Sequence, residues 1–63
     1  MTRAEKVMWE INIENAFSRV CEAVGKTVAQ SVFRRYDAHS FYDLSPSHYS
    51  EVFADLEQIA NDN

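Results

Sequence analysis

The chain has 63 residues, of which 46% are hydrophobic, with one glycine, one proline, one cysteine and a formal net charge of −4. A chain of this length forms one small domain, residues 1–63, and so little glycine and proline argues against a turn-rich β fold and against a disordered linker. No apolar run approaches the roughly 18 residues that a membrane span needs, so we expect no membrane association.

Cysteine usage and the N-terminal residues indicate the compartment. Cys21 is the only cysteine, so no intrachain disulfide can form, which fits a reducing environment. The first ten residues include two glutamates and lack the apolar core of a signal peptide. We therefore expect a cytoplasmic protein, in which association with a partner takes the stabilising role that disulfides or a metal take in other small domains.

The first predicted element is a long helix over residues 3–24. Thr2 and Glu5 have the spacing of a capping box, in which each side chain accepts a hydrogen bond from the other residue's backbone N–H. No proline or glycine interrupts the segment, and Gly25 follows it at the C-cap position. At 1.5 Å per residue the helix is about 33 Å long.

A second helix is predicted over residues 27–36. Thr27 and Gln30 repeat the capping-box spacing, and the apolar residues that follow recur with helical periodicity on one side. They are Val28, Ala29, Val32, Phe33 and Tyr36.

The connector and the last helix complete the predicted fold. An aromatic residue and a leucine, three apart, predict a short helical turn near 41–44 that plugs the core. Ser45 followed by Pro46 is a helix start signal and predicts a third helix over 46–60. The fold class is therefore all-α, a compact three-helix bundle. Six residues are expected to be largely buried: Phe17, Val32, Phe33, Leu44, Phe53 and Leu56.

Apolar side chains lie on two nearly opposite sides of the first helix. At about 100° per residue, one long stripe has the length to pack against the other two helices. It contains Trp9, Ile13, Ala16, Phe17, Val20 and Val24. A shorter stripe cannot face the same core if the helix is straight. It contains Ala4, Val7, Met8 and Ile11.

The short stripe has two explanations. Either the first two turns bend or fray, or the third helix covers both sides, and the stripe belongs to the fold. Alternatively the stripe is an interface with another chain, since exposed apolar clusters on soluble proteins commonly mark interaction sites. We predict the interface, with a homodimer as its simplest form and a different protein partner as the other.

Motifs for catalysis or cofactor binding are lacking. The segment GKT at 25–27 resembles the end of a phosphate-binding loop, but Val20 stands where that motif requires a glycine. Cys21 lies near the end of a predicted helix, whereas a reactive thiolate needs a cationic or helix N-terminal setting. We expect no enzyme activity and no cofactor.

Metal and nucleic-acid binding are also not expected. Four residues of ligand type share one loop region, but their spacing matches no metal motif: Asp37, His39, Asp43 and His48. Lys26, Arg34 and Arg35 could touch phosphate, yet the isoelectric point of about 4.9 argues against direct nucleic-acid binding. The two arginines are expected to end the second helix and to meet Asp37 or acids of the third.

The charges divide the chain in two. Residues 1–35 hold all six basic residues and four acidic ones, whereas residues 36–63 hold six acidic residues and no Lys or Arg. The third helix carries an acidic row that nothing on that helix neutralises: Glu51, Asp55, Glu57 and Asp62. The row is either a solvated face or a mimic of phosphates that binds a basic cleft, steered by long-range attraction.

The segment VAQSVFRRYDAHSFYDLSPSHYSEVFADLEQIA, about the last half of the chain, resembles a helical pattern of small proteins and accessory modules of phages and conjugative elements. In that pattern a helix ends in an aromatic residue, a short s-x-x-D-L turn follows, and an amphipathic helix closes the unit. Ala38 departs from it, since glycine is common there, and this predicts a looser turn or one of another type.

In size and composition the chain is also similar to the small proteins of gut-bacterial mobile elements, among which anti-CRISPR and other defence inhibitors occur. The resemblance implies a mobile-element setting and no site residues. Two functions therefore stay open. The first is a non-catalytic, self-associating interaction module, an accessory protein of a mobile element. The alternative is an acidic anti-defence inhibitor that occupies a basic nucleic-acid-binding surface of a host protein.

Overall fold

The computed structural model describes residues 1–62 and forms a three-helix bundle, which confirms the predicted fold class. The helices are α1 (Arg3–Val24), α2 (Lys26–Arg34) and α3 (Tyr49–Asn61), and two 3-10 turns (Phe41–Asp43 and Pro46–His48) lie between α2 and α3. No strand occurs among the residues described. α1 packs against both other helices, most extensively against α3.

The capping predicted for α1 is present at both ends. Thr2 Oγ1 accepts a hydrogen bond from the Glu5 N–H, and the Glu5 carboxylate accepts one from the Thr2 N–H, both at 3.2 Å. At the other end the Gly25 N–H donates to the Cys21 carbonyl at 3.0 Å. The molecule is 33 Å long, about the length of α1 itself.

α2 begins one residue earlier than predicted because Gly25 serves both helices. Its φ of 110° is a conformation that favours glycine, so the chain leaves α1 and enters α2 within one residue. The Gly25 carbonyl accepts the Ala29 N–H at 3.3 Å, and no side chain caps the helix. The capping box predicted at Thr27 and Gln30 is therefore wrong.

α2 also ends earlier than predicted, in a Schellman motif. The Ala38 N–H donates to the Phe33 carbonyl at 3.1 Å, and the Asp37 N–H donates to the Arg34 carbonyl at 3.2 Å. Asp37 takes the left-handed conformation, with φ 57°, a region that Asp tolerates better than most residues. The left-handed position of the turn, where glycine is common, is thus occupied by Asp37. Ala38 follows it and is buried in the core.

The short turn predicted near 41–44 is present as the first 3-10 turn. Ser40 caps it by accepting the Tyr42 N–H at 3.3 Å, and Asp43 accepts the Ser40 N–H at 2.9 Å. The side chains on either side of the turn, Phe41 and Leu44, are buried, as the prediction of a plug requires.

The third predicted helix differs in its first turn. Pro46–His48 is a 3-10 turn, and the α-helix proper begins at Tyr49. Ser45 precedes the proline as predicted, but its hydroxyl lies 3.0 Å from the Ser47 hydroxyl and does not cap the helix. None of the helices within residues 1–62 is long and apolar enough to span a membrane.

The core lies between the three helices and the connector. Twelve buried residues form it: Ile13, Ala16, Val20, Ala29, Val32, Phe33, Ala38, Phe41, Leu44, Tyr49, Val52 and Leu56. The Phe41 ring stacks on Tyr49, with ring centroids 4.8 Å apart. Four of the six residues expected to be buried are in this set, whereas Phe17 and Phe53 are half-buried at its edge.

Candidate protein interaction surface

The short stripe predicted on the first helix is exposed on α1. Ala4, Val7, Met8 and Ile11, here called the apolar strip, lie within an arc of about 100°. Val7 is 46% exposed, Met8 63% and Ile11 53%, and Ala4 is exposed as well. α1 is helical from Arg3 onwards, so its first turns do not leave the helix to cover these side chains.

The apolar strip is exposed because it lies on the side of α1 turned away from α3, and because its first three residues precede the packed part of the helix. Every residue from 1 to 8 is exposed, and Trp9 is the first that is half-buried. The Trp9 ring packs against Tyr49 and Phe53 of α3, with ring centroids 6.3 and 6.1 Å apart. The packing of α3 therefore uses the side of α1 opposite to the apolar strip, and the strip stays exposed.

Charged residues border one edge of the apolar strip. Arg3, Glu10 and Glu14 lie within about 40° of one another around α1. Arg3 and Glu14 are exposed, and Glu10 is half-buried. The ion pairs formed within residues 1–62 involve none of the three. This edge of α1 thus carries a positive charge at its beginning and negative charges two to three turns further on.

An exposed tyrosine lies beside that edge. Tyr42, in the first 3-10 turn, is 81% exposed. A hydrogen bond from its hydroxyl to Glu10 raises the Tyr42 pKa above its ordinary value. The ring thereby adds exposed apolar surface beside the charged edge. On the other edge a shallow groove is lined by Glu5, Met8, Trp9 and Asn12.

The acidic row of α3 is partly neutralised by the other helices. Arg19 of α1 forms an ion pair with Glu57 and donates a second hydrogen bond to Asn61 Oδ1 at 3.2 Å. The contact between Arg19 and Glu57 joins residues 38 apart in the sequence. The expectation that the row lacks basic neighbours holds along α3 itself but not in the folded bundle.

Asp55, a second acid of the row, also contacts residues outside α3. The Tyr36 hydroxyl donates to Asp55 Oδ2 at 2.7 Å, and Arg35 Nη1 lies 3.8 Å from that oxygen. The hydrogen bond to Asp55 raises the Tyr36 pKa. The predicted meeting of an arginine at the end of the second helix with an acid of the third is confirmed for Arg35.

The two remaining acids of the row differ from these. Glu51 Oε1 lies 3.5 Å from His48 Nδ1, at the limit of a hydrogen bond. Asp62 is exposed at the end of α3. On α3 the acidic row is therefore not a continuous line of unpaired carboxylates.

The loop residues of ligand type make local hydrogen bonds. Asp43 accepts the backbone N–H groups of Ser40 and His39, which lower its pKa to about 2. The His48 ring packs against Tyr36, with ring centroids 5.0 Å apart. Within residues 1–62 no three His, Cys, Asp or Glu side chains converge into a group able to hold a metal ion.

Sequence reasoning missed one groove, of about 360 Å³, between α1, α2 and the first 3-10 turn. All three of these elements contribute aromatic side chains to it. Its lining includes Phe17, Phe33, Phe41, Lys26, Gln30 and Glu14. The rim carries charges of both signs and points to no particular ligand, and no sequence signal places the connector there.

Cys21 lies near the end of α1, as predicted. It is half-buried against the core, at the edge of the long apolar stripe of α1.

Comparison of the chain with protein-family models, curated proteins and solved structures gives no significant match. The apolar strip, with its charged edge, is the surface on which we base a function.

Proposed function

We propose that the protein is a non-catalytic interaction module that associates with a second copy of itself through the apolar strip of α1. The observation that supports this function is the exposure of Val7, Met8 and Ile11 side by side on a continuous helix. Scattered apolar residues on a surface are ordinary, whereas a contiguous group on one helix face is typical of an interaction site.

The size of the molecule limits how strong this association can be. Standard protein interfaces bury about 800 Å² on each partner, which would be about a fifth of this chain's 4225 Å² surface. The apolar strip is shorter than three helical turns and supplies only part of that area, with Met1 and Tyr42 adding to it. We therefore expect a weak dimer that dissociates on dilution.

The acidic alternative has less support from the geometry. Asp55 and Glu57, the middle of the acidic row, are engaged by Arg35 and Arg19. A basic cleft that bound this face would have to displace both arginines. We therefore place the function on α1.

The test is the substitution Met8→Glu, followed by sedimentation equilibrium across roughly 10 to 500 µM, because small interfaces are weak. The wild type is expected to shift toward dimer over this range. The variant is expected to remain monomeric, since an uncompensated carboxylate would be buried in an apolar contact. Its circular dichroism is expected to be unchanged, because Met8 lies outside the core.

The matched control is Gln58→Glu, which adds the same charge at an exposed position of α3. It is expected to dimerise as the wild type does. A wild type that stays monomeric at the highest concentration would contradict self-association and leave a different protein as the only partner for the strip.

A further inference from the structure

We infer that the second copy binds antiparallel, with α1 of one copy crossing α1 of the other at the level of Val7 and Met8. This inference rests on the proposed function and specifies its geometry. The centre of the apolar strip lies between these two residues. Across a twofold axis at that point, Ala4 of one copy faces Ile11 of the other, and Val7 faces Met8.

The charged edge of α1 supports this orientation. In an antiparallel helix pair related by a twofold axis, each edge of one helix lies beside the same edge of the other. Arg3 then lies between Glu10 and Glu14 of the second copy, since residues whose numbers sum to about 15 lie opposite each other. The symmetry produces this contact twice, and both contacts join opposite charges.

A parallel pair uses the charges less well. Each edge would then lie beside the opposite edge at the same height. Arg3 would lie near Glu5, whose carboxylate already caps α1. Glu10 and Glu14 would face the uncharged Asn12. The helix dipoles would also point the same way, whereas they oppose each other in the antiparallel pair. Arg3, Glu10 and Glu14 form no ion pair within their own chain among residues 1–62, so a second copy can engage them without breaking an existing one.

Charge reversal tests the register. Arg3→Glu and Glu14→Arg, made separately, are each expected to weaken dimerisation roughly five- to tenfold at low salt, since two symmetry-related exposed pairs become repulsive. The double variant Arg3→Glu/Glu14→Arg is expected to dimerise more tightly than either single variant, because positions 3 and 14 again carry opposite charges, while the contact with Glu10 stays repulsive. Lys6→Glu is the matched control for Arg3→Glu. It makes the same charge change in the first turn of α1 but lies about 60° farther around the helix from the apolar strip, and it is expected to have a smaller effect.

Disulfide trapping tests the orientation without relying on charge. In a Cys21→Ser background, chains carrying Ala4→Cys are mixed with chains carrying Ile11→Cys and oxidised at a concentration where the wild type dimerises. The antiparallel pair is expected to give the mixed disulfide and little of either homodimer. Predominant Ala4→Cys homodimer would show a parallel pair and overturn the inference.

The results separate this inference from the function on which it rests. If Met8→Glu abolishes dimerisation but the double charge variant is no better than the single ones, self-association stands and the antiparallel register is wrong. If the wild type is monomeric throughout, both are wrong. Circular dichroism of each variant checks that α1 is intact, which is expected because all the substituted residues except Cys21 are exposed.

Discussion

Ile11 and Ile13 are the same residue two positions apart on α1, yet Ile13 is completely buried and Ile11 is 53% exposed. Two residues on a helix differ by about 200° in direction, so the pair reports on the two sides of α1. The side of Ile13 packs against α2 and α3 and accounts for the fold. The side of Ile11 contributes nothing to the core.

The difference teaches that hydrophobicity in this helix has two separate causes. The buried side packs α1 into the bundle. Along the chain, its first residue that is not exposed is Trp9. The two turns before Trp9 extend beyond α3 and hold apolar residues that the monomer does not use. Substitutions on the two sides should therefore separate stability from association.

The largest effect is expected from Ile13→Ala. Removing a fully buried isoleucine leaves a cavity and should lower the free energy of unfolding by about 2 to 5 kcal/mol. Urea unfolding at a concentration where the protein is monomeric measures it. Leu56→Ala, on the facing helix and equally buried, should behave in the same way.

Ile11→Ala is the matched control for Ile13→Ala. At the same dilution it should change the free energy of unfolding by less than about 0.5 kcal/mol, as exposed substitutions do, and it should weaken dimerisation instead. Equal destabilisation by the two alanines would contradict the separation of the two sides.

A smaller effect is expected from Thr2→Ala, which removes the N-cap of the helix end that carries the apolar strip. Loss of an N-cap costs about 0.5 to 2 kcal/mol. Because residues 1–8 are all exposed, the loss should appear as fraying, with faster amide exchange at Glu5 and Lys6 and weaker dimerisation. Thr27→Ala is the control, since Thr27 caps nothing, and a similar loss there would contradict the capping seen in the structure.

The smallest effect concerns the pH dependence of stability, to which Asp43 in the connector contributes. Asp43 has a pKa of about 2 in the folded protein because of the Ser40 and His39 N–H groups, against an ordinary 3.8. A lowered folded-state pKa adds stability above about pH 4 that is lost as the pH falls toward 2. Asp43→Asn should therefore flatten the decline in melting temperature between pH 5 and 2.

The control for that titration is Asp62→Asn, the same change at the exposed end of α3. It is expected to keep the wild-type decline between pH 5 and 2. Calorimetry of the wild type and both variants gives the comparison. An Asp43→Asn variant that declines as steeply as the wild type would contradict the role of the Asp43 hydrogen bonds.

Local signals in the sequence predicted much of this fold. The Thr2 and Glu5 pair, and the buried residues flanking the first 3-10 turn, depend on residues within a few positions of each other, so their geometry follows from spacing. The failure at Thr27 has a local cause too. Gly25 adopts a conformation that starts α2 at once, which leaves the threonine inside the helix.

What could not be predicted depends on contacts between distant segments. The sequence shows that α3 has no basic neighbour along its own length, but only the packed bundle brings Arg19 to Glu57. Phe17 and Phe53 have the right periodicity for the core, yet a bundle of this size has too few neighbours to cover them fully. The apolar strip was found from periodicity alone, because opposite sides of a helix are a local property.

The backbone conformation of Gly25 also decides which chirality a residue at this position can have. A Cβ built at this position would meet no atom within 4 Å, so a side chain is excluded by its handedness and not by lack of space. The backbone there, with φ 110° and ψ 159°, lies near the mirror image of ordinary extended chain. A D-amino acid fits that geometry, and D-alanine would also reduce the freedom of the unfolded chain that glycine allows. The one-residue joint between α1 and α2 is thus a place where a chemically made mirror-image residue suits this protein better than any genetically encoded side chain.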